Sequence, residues 1–231
     1  MPAAETVVQY RGVDVAGNTE VTNSVTVPAA GVVLRGSSTA AVVAPSSVVF
    51  GKTKASVRVR VSGRGGVPSG SVRVLDGSTL LATGTLRAGS VKIALPRKAL
   101  EVGRHRLSVV YSGDAVFSGS QDAVSVKVTK APSKVKAKVS PKKVTTRSKA
   151  RVSVSVSSHG AKAGKVTVKV TKKVRGKTKT YVTKKAVVSA NGKASVRLPR
   201  LKQGRYTVRV SYAGSESAAK ATTTTRLVVR R

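Results

Sequence analysis

The residues able to carry acid–base or metal chemistry are few and far apart. Eight carboxylates (Glu5, Asp14, Glu20, Asp76, Glu101, Asp114, Asp122 and Glu216) are spread over 231 residues, with two histidines, His105 and His159, and no cysteine. General acid–base catalysis needs two titratable groups that converge on one atom. Beyond residue 131 the only carboxylate is Glu216, so that half of the chain cannot supply a pair. Calcium takes six to eight oxygens, several of them from carboxylates, and no such cluster occurs. Two histidines in different halves of the chain do not make a zinc site. No catalytic, cofactor-binding or metal site is therefore expected, and the chain is read as not an enzyme. Asp114 follows a glycine and reads as a turn-former whose carboxylate bonds its own backbone. His105 reads as a packed structural histidine on a core-facing position, and His159 as a solvated loop residue.

Cations are the abundant chemistry. Forty-four Lys and Arg give a formal net charge of +36, and they are not spread evenly. Residues 1–36 carry a net charge of −1 and residues 37–131 carry +10, while residues 132–231 hold 28 basic side chains against one acid, a net +27. A charge of one sign at that density destabilises a compact domain through self-repulsion. The segment Lys172 to Lys185, KKVRGKTKTYVTKK, contributes six Lys and one Arg with no acid and reads as a hairpin turning near Gly176. The candidate anion-binding residues are Lys165, Lys169, Lys172, Lys173, Arg175, Lys177, Lys179, Lys184, Lys185, Arg205, Arg209, Arg226 and Arg230. Like charges on neighbouring strands weaken a sheet unless an anion lies between them. A polyanion is thus the expected partner of these residues. Aromatic residues are only 3% of the chain and Trp is absent, so neither base stacking nor a neutral-sugar platform is supported.

The elements that must position these cations are strands. Val57, Val59 and Val61 alternate with Arg58 and Arg60; Leu107, Val109 and Tyr111 alternate with Arg106 and Ser108; Val166, Val168 and Val170 alternate with Thr167 and Lys169. Period-two alternation marks a strand with one buried and one wet face. Gly65-Gly66, Asp76-Gly77, Ala88-Gly89 and Gly113-Asp114 punctuate the runs. Many short alternating strands without a helical period predict an all-β fold of packed antiparallel sheets. No window reaches the roughly 18 apolar residues of a membrane span.

The pattern also repeats. The stretch LPRKALEVGRHRLSVVYSGDAVF from Leu95 returns as LPRLKQGRYTVRVSYAGSES from Leu198. Gly103, Leu107 and Tyr111 match Gly204, Val208 and Tyr212, each 101 residues on, a spacing suited to one whole domain. The expected division is a remnant hairpin at 1–28, a small-residue linker at 29–38, a first repeat at 39–131 and a highly basic second repeat at 132–231.

Gly103-Arg-His105-Arg-Leu107 and Gly204-Arg-Tyr206-Thr-Val208 look like the start of an immunoglobulin F strand, in which a corner tyrosine precedes the second cysteine by two residues. The resemblance makes Tyr206 that corner and His105 its variant, with Leu107 and Val208 in the cysteine's place. Asp76-Gly77, LLATGTL from Leu80, Leu95-Pro96, Leu100, Gly103 and Tyr111-Ser-Gly113-Asp114-x2-Phe117 resemble the bacterial Ig-like repeats of actinobacterial surface and secreted proteins. The second copy departs at Ala213-Gly-Ser215 and has no Phe counterpart. Tyr10, Asp14, Ala16, Gly17 and Asn18 resemble the closing hairpin of another Ig-like or fibronectin-like domain.

The resemblance implies tandem Ig-like sandwiches serving as a non-catalytic spacer or stalk. It places them in a secreted or cell-wall-associated bacterial protein, with a signal peptide upstream of this stretch. The basic second repeat would hold to anionic wall polymers. Nucleic acid is the alternative polyanion, and a passive spacer for an upstream catalytic or adhesin domain is the alternative role. A monomer with no cofactor and no specific small-molecule ligand is expected.

Overall fold

The computed structural model describes residues 6–10, 23–27 and 33–231, and every regular element among them is a strand. Strands β1 (Thr6–Tyr10) and β2 (Asn23–Val27) form an antiparallel pair running from Thr6↔Val27 to Tyr10↔Asn23. Asp14, Ala16, Gly17 and Asn18, which carry the expected turn, lie outside the described residues.

The first sandwich follows from the alternation. Its three-stranded sheet pairs β3 (Ser37–Ala44), β5 (Ser56–Gly63) and β8 (Ser90–Ala94) in the order β3-β5-β8. Its five-stranded sheet is built from β4 (Ser47–Val49), β6 (Ser71–Asp76), β7 (Thr79–Thr85), β9 (Gly103–Tyr111) and β10 (Ser120–Thr129), ordered β4-β10-β9-β6-β7. All pairings are antiparallel except β4 on β10, which runs parallel. Val57 and Val59 from one sheet meet Val72, Val74, Leu107 and Val109 from the other, all at 0% exposure. Each such side chain contributes roughly 1.5–3 kcal/mol on burial.

The second sandwich repeats this order with its own core. Strands β11 (Ser133–Ser140), β13 (Arg151–Ser158) and β16 (Lys193–Arg197) make the three-stranded sheet. The five-stranded sheet runs β12 (Lys143–Thr145), β18 (Ala221–Arg230), β17 (Gly204–Tyr212), β14 (Gly164–Val174), β15 (Lys177–Val188). The β14–β15 hairpin has strands of 11 and 12 residues where β6 and β7 have 6 and 7. It closes through Arg175 and Gly176, both at positive φ, the geometry that suits the right-handed twist of a two-residue hairpin. Both hairpins carry a β-bulge, after Val74 in the first copy and after Val170 in the second, two residues further along the equivalent strand.

Local chemistry ties down the loops. Phe117 is 2% exposed and packs on Gly63, where a Cβ would overlap the ring. The incoming backbone is held the same way in both copies. Arg35 donates its N–H to the Val116 carbonyl and accepts from Ser118 N–H, at 2.8 and 2.9 Å. Ala131, fully buried, does the same with Ser217 and Ala219, at 2.9 and 2.8 Å.

Candidate polyanion-binding faces

The three aspartates of the first sandwich are engaged in its own hydrogen bonds. Asp114 Oδ2 accepts from the Ser69 N–H and hydroxyl at 2.8 and 2.9 Å, and Oδ1 from the Val116 and Phe117 N–H groups at 2.8 Å. The Ser69 backbone bond, then those of Val116 and Phe117, hold its carboxyl well below the usual aspartate range. Asp122 accepts from the Ala41 N–H at 2.8 Å and so ties β10 to β3 across the sandwich edge. Asp76 Oδ2 lies 2.7 Å from His105 Nδ1. These carboxylates are tied to separate places, and among the described residues no three His, Cys, Asp or Glu gather to hold a metal.

His105 corrects one expectation. It keeps the core-facing register, opposite Val126, but its side chain stays 16% exposed and both ring nitrogens have polar partners. Its Nε2 donates to the Glu101 carbonyl at 3.0 Å while Nδ1 meets Asp76. Tyr206 makes the equivalent bond with its hydroxyl, donating to the Lys202 carbonyl at 2.7 Å from a ring only 2% exposed. Both residues reach back four positions, so the imidazole does the corner's bonding with less buried area. Burial raises the Tyr206 phenol above its ordinary value. Burial, and then the Asp114 carboxylate close by, push Tyr111 up to about 12.

The candidate cations divide into two groups. Register places Lys165, Lys169 and Lys173 of β14, Lys185 of β15, Arg205 and Arg209 of β17, and Arg226 and Arg230 of β18 on outward positions of the five-stranded sheet, all exposed. Lys169 is directly opposite Arg209, and Thr207 is opposite Arg226. The remaining positions on this face are mostly hydroxyls, Thr167, Thr171, Ser211, Thr222 and Thr224 among them. No strand of this sheet contains an acid.

The other five do not join that face. Lys172, Lys177, Lys179 and Lys184 take the opposite register, continuing the inward line of Val166, Val168 and Val170, and Arg175 sits in the turn. Lys184 pairs with Val168 on the edge strand and stays exposed, an inward-pointing charge of the kind that blocks edge-to-edge association. Lys172 is half-buried, donates to the Gln203 carbonyl at 3.1 Å and lies 5.8 Å from the Tyr206 ring centroid. Tyr181, the extra residue at the bulge, meets the same ring edge-on at 5.4 Å.

A second basic surface lies on the three-stranded sheet. Lys134, Lys136 and Lys138 of β11, Arg151 of β13, and Lys193 and Arg197 of β16 occupy its outward positions. The sequence signal for it is the alternation in SKVKAKVS, which puts three lysines on one face of one strand.

Residues 40–129 match the family model for the bacterial Ig-like domain (group 3). That stretch is similar to bacterial Ig-like domains. No curated protein matches the chain. Among solved structures, fibronectin(III)-like modules of Clostridium thermocellum CbhA align at 14% identity over 83% of this chain and 94% of theirs, with a TM-score of 0.32. The Yersinia pseudotuberculosis adhesin InvE aligns at 15% over 82%, with a TM-score of 0.38. Invasin, a bacterial integrin-binding protein, aligns at 17% over 83%, with a TM-score of 0.49. The chain spans 58% of the InvE chain and 39% of the invasin chain.

Proposed function

We propose that these residues form a non-catalytic stalk of tandem Ig-like modules in a secreted or cell-wall-associated bacterial protein, held to anionic wall polymers through the second sandwich. The observation that carries this reading is the outward face of the five-stranded sheet, where eight of the candidate cations stand among hydroxyls with no acid. An array that repels itself in isolation is stabilised when a polyanion neutralises it. No aromatic residue occupies an outward position of this face in β14, β17 or β18, so the surface is suited to a charged backbone and offers no platform for bases.

The test is retention of the full chain on immobilised poly(glycerol phosphate) at physiological salt. The expected result is retention that falls steeply as salt rises and is reduced by Lys169→Gln, Lys185→Gln, Arg205→Gln and Arg209→Gln together. Passage through the column without delay would leave the passive spacer. Base-dependent binding to single-stranded DNA that outcompetes the wall polymer would favour nucleic acid.

A further inference from the structure

The three-stranded face of the second sandwich has a shape as well as a charge. Its middle strand, β13, presents Ser153, Ser155 and Ser157 outward, while the flanking strands present lysine and arginine. Lys136 pairs with Ser155, and Ser155 with Lys193; Lys138 pairs with Ser153. Strands lie about 4.8 Å apart, so the two cationic rails are separated by roughly 9.6 Å with short hydroxyl side chains between them. Along β11 the charges recur every second residue, about 6.7 Å, while on β16 Ser195 lies between Lys193 and Arg197, about 13 Å apart. One rail cation already leans over the serine strand, with Lys193 Nζ donating to Ser155 Oγ at 3.2 Å, and Arg151, at the start of β13, reaches the other way to donate to Ser195 Oγ of β16 at 3.4 Å. The first sandwich has no such trough. Its β3 presents Ser38, Ala40 and Val42 where β11 presents the three lysines, and its basic residues are Arg58 and Arg60 on the middle strand and Lys92 alone on β8.

We propose that this trough is a second polyanion site. It takes one linear chain of closely spaced phosphate or carboxylate groups lying along β13, with serine hydroxyls donating from below and ammonium groups from both sides. The proposal rests on the reading of the five-stranded face as a polyanion surface. Because the two sheets of a sandwich face away from each other, occupancy of both makes the module bivalent, joining two polymer strands rather than resting on one.

The experiment uses the full chain and inorganic polyphosphate. Titration calorimetry with short chains counts sites, and light scattering with long chains reports cross-linking. Two short chains per protein and strong scattering near equivalence are expected. Lys134→Gln, Lys136→Gln and Lys138→Gln together should reduce the count to one and abolish the scattering, leaving the affinity of the remaining site unchanged. Lys193→Gln with Arg197→Gln, on the opposite rail, should do the same. All five side chains are exposed, and circular dichroism checks that the variants keep the fold. One chain per wild-type protein, with no effect of either set, would overturn the trough while leaving the five-stranded face in place. No bound chain at all would overturn both. Two chains persisting in both variants would show that the second site lies elsewhere and overturn the trough.

Discussion

Lys169 and Arg209 stand directly opposite each other on neighbouring strands, and neither β14 nor β17 contains an acid to separate them. Such a pair opposes the sheet that holds it. Lys169→Glu should therefore stabilise the free protein by roughly 0.2–1 kcal/mol at low salt, the range for cross-strand pairs, and the gain should shrink as salt screens the charges. Urea unfolding at two ionic strengths measures it. A loss of stability at low salt would mean that the two side chains diverge and do not repel.

The corner tyrosine Tyr206 and the buried Tyr111 at the end of β9 give opposite expectations. Tyr206→Phe removes the hydroxyl bonded to the Lys202 carbonyl and should cost about 1 kcal/mol. Tyr111 is 1% exposed, and its hydroxyl has no hydrogen-bond partner among the described residues. Tyr111→Phe should therefore be neutral or slightly stabilising. Equal destabilisation by both would contradict the assignment of these two hydroxyls.

Asp114 predicts an acid-sensitive loop. Its folded-state carboxyl is held below the ordinary value of 3.8 by backbone N–H donors, so its contribution is fully present above that pH. The contribution is lost as pH falls through the folded value, because protonation removes the acceptors. Asp114→Asn should destabilise the protein near neutrality, and the difference from wild type should shrink on acidification. A difference that holds constant into strong acid would refute the linkage.

Gly63 and Phe117 should be coupled. Gly63→Ala puts a methyl into the Phe117 ring, and Phe117→Ala alone should cost about 3–5 kcal/mol through the cavity it leaves. In the double variant the Gly63 penalty should largely vanish, since the clashing ring is gone. Additive losses in a double-mutant cycle would show that the ring does not lie on Gly63.

The all-β fold was legible because Val57, Val109 and Val168 sit in strict alternation, and period two leaves one choice of buried face. Tyr206 was legible through its glycine two residues earlier. What alternation did not reveal is where a strand outruns its core. Lys172 and Lys184 look like surface cations in sequence, yet they continue the inward register, one lying beside Tyr206 and the other on the sheet edge. His105 was placed on the right face but not with its partner, since Asp76 is 29 residues away and no local pattern joins them. The departure at Ser215 likewise hid an equivalence. Its hydroxyl accepts from the Ala218 N–H at 3.0 Å and donates to the Ala161 carbonyl at 2.7 Å, a hydroxyl standing where the first copy has a carboxylate. The trough was missed because Lys134 to Lys138 and Lys193 to Arg197 are more than 50 residues apart in sequence and meet only across β13.

The most direct test of the central claim is the salt dependence of binding between the full chain and a single-stranded polyanion. Neutralised phosphate contacts release counterions, and each contributes roughly 0.7 to the slope of log K against log salt. Replacing Lys169, Lys185, Arg205 and Arg209 with Gln should lower that slope by about 3. The same number of replacements in the first sandwich, at Arg58, Arg60, Lys92 and Arg104, should leave it unchanged. Equal reductions from the two sets would contradict the account, because binding would then follow net charge alone and not the face on which β14, β15 and β17 assemble it.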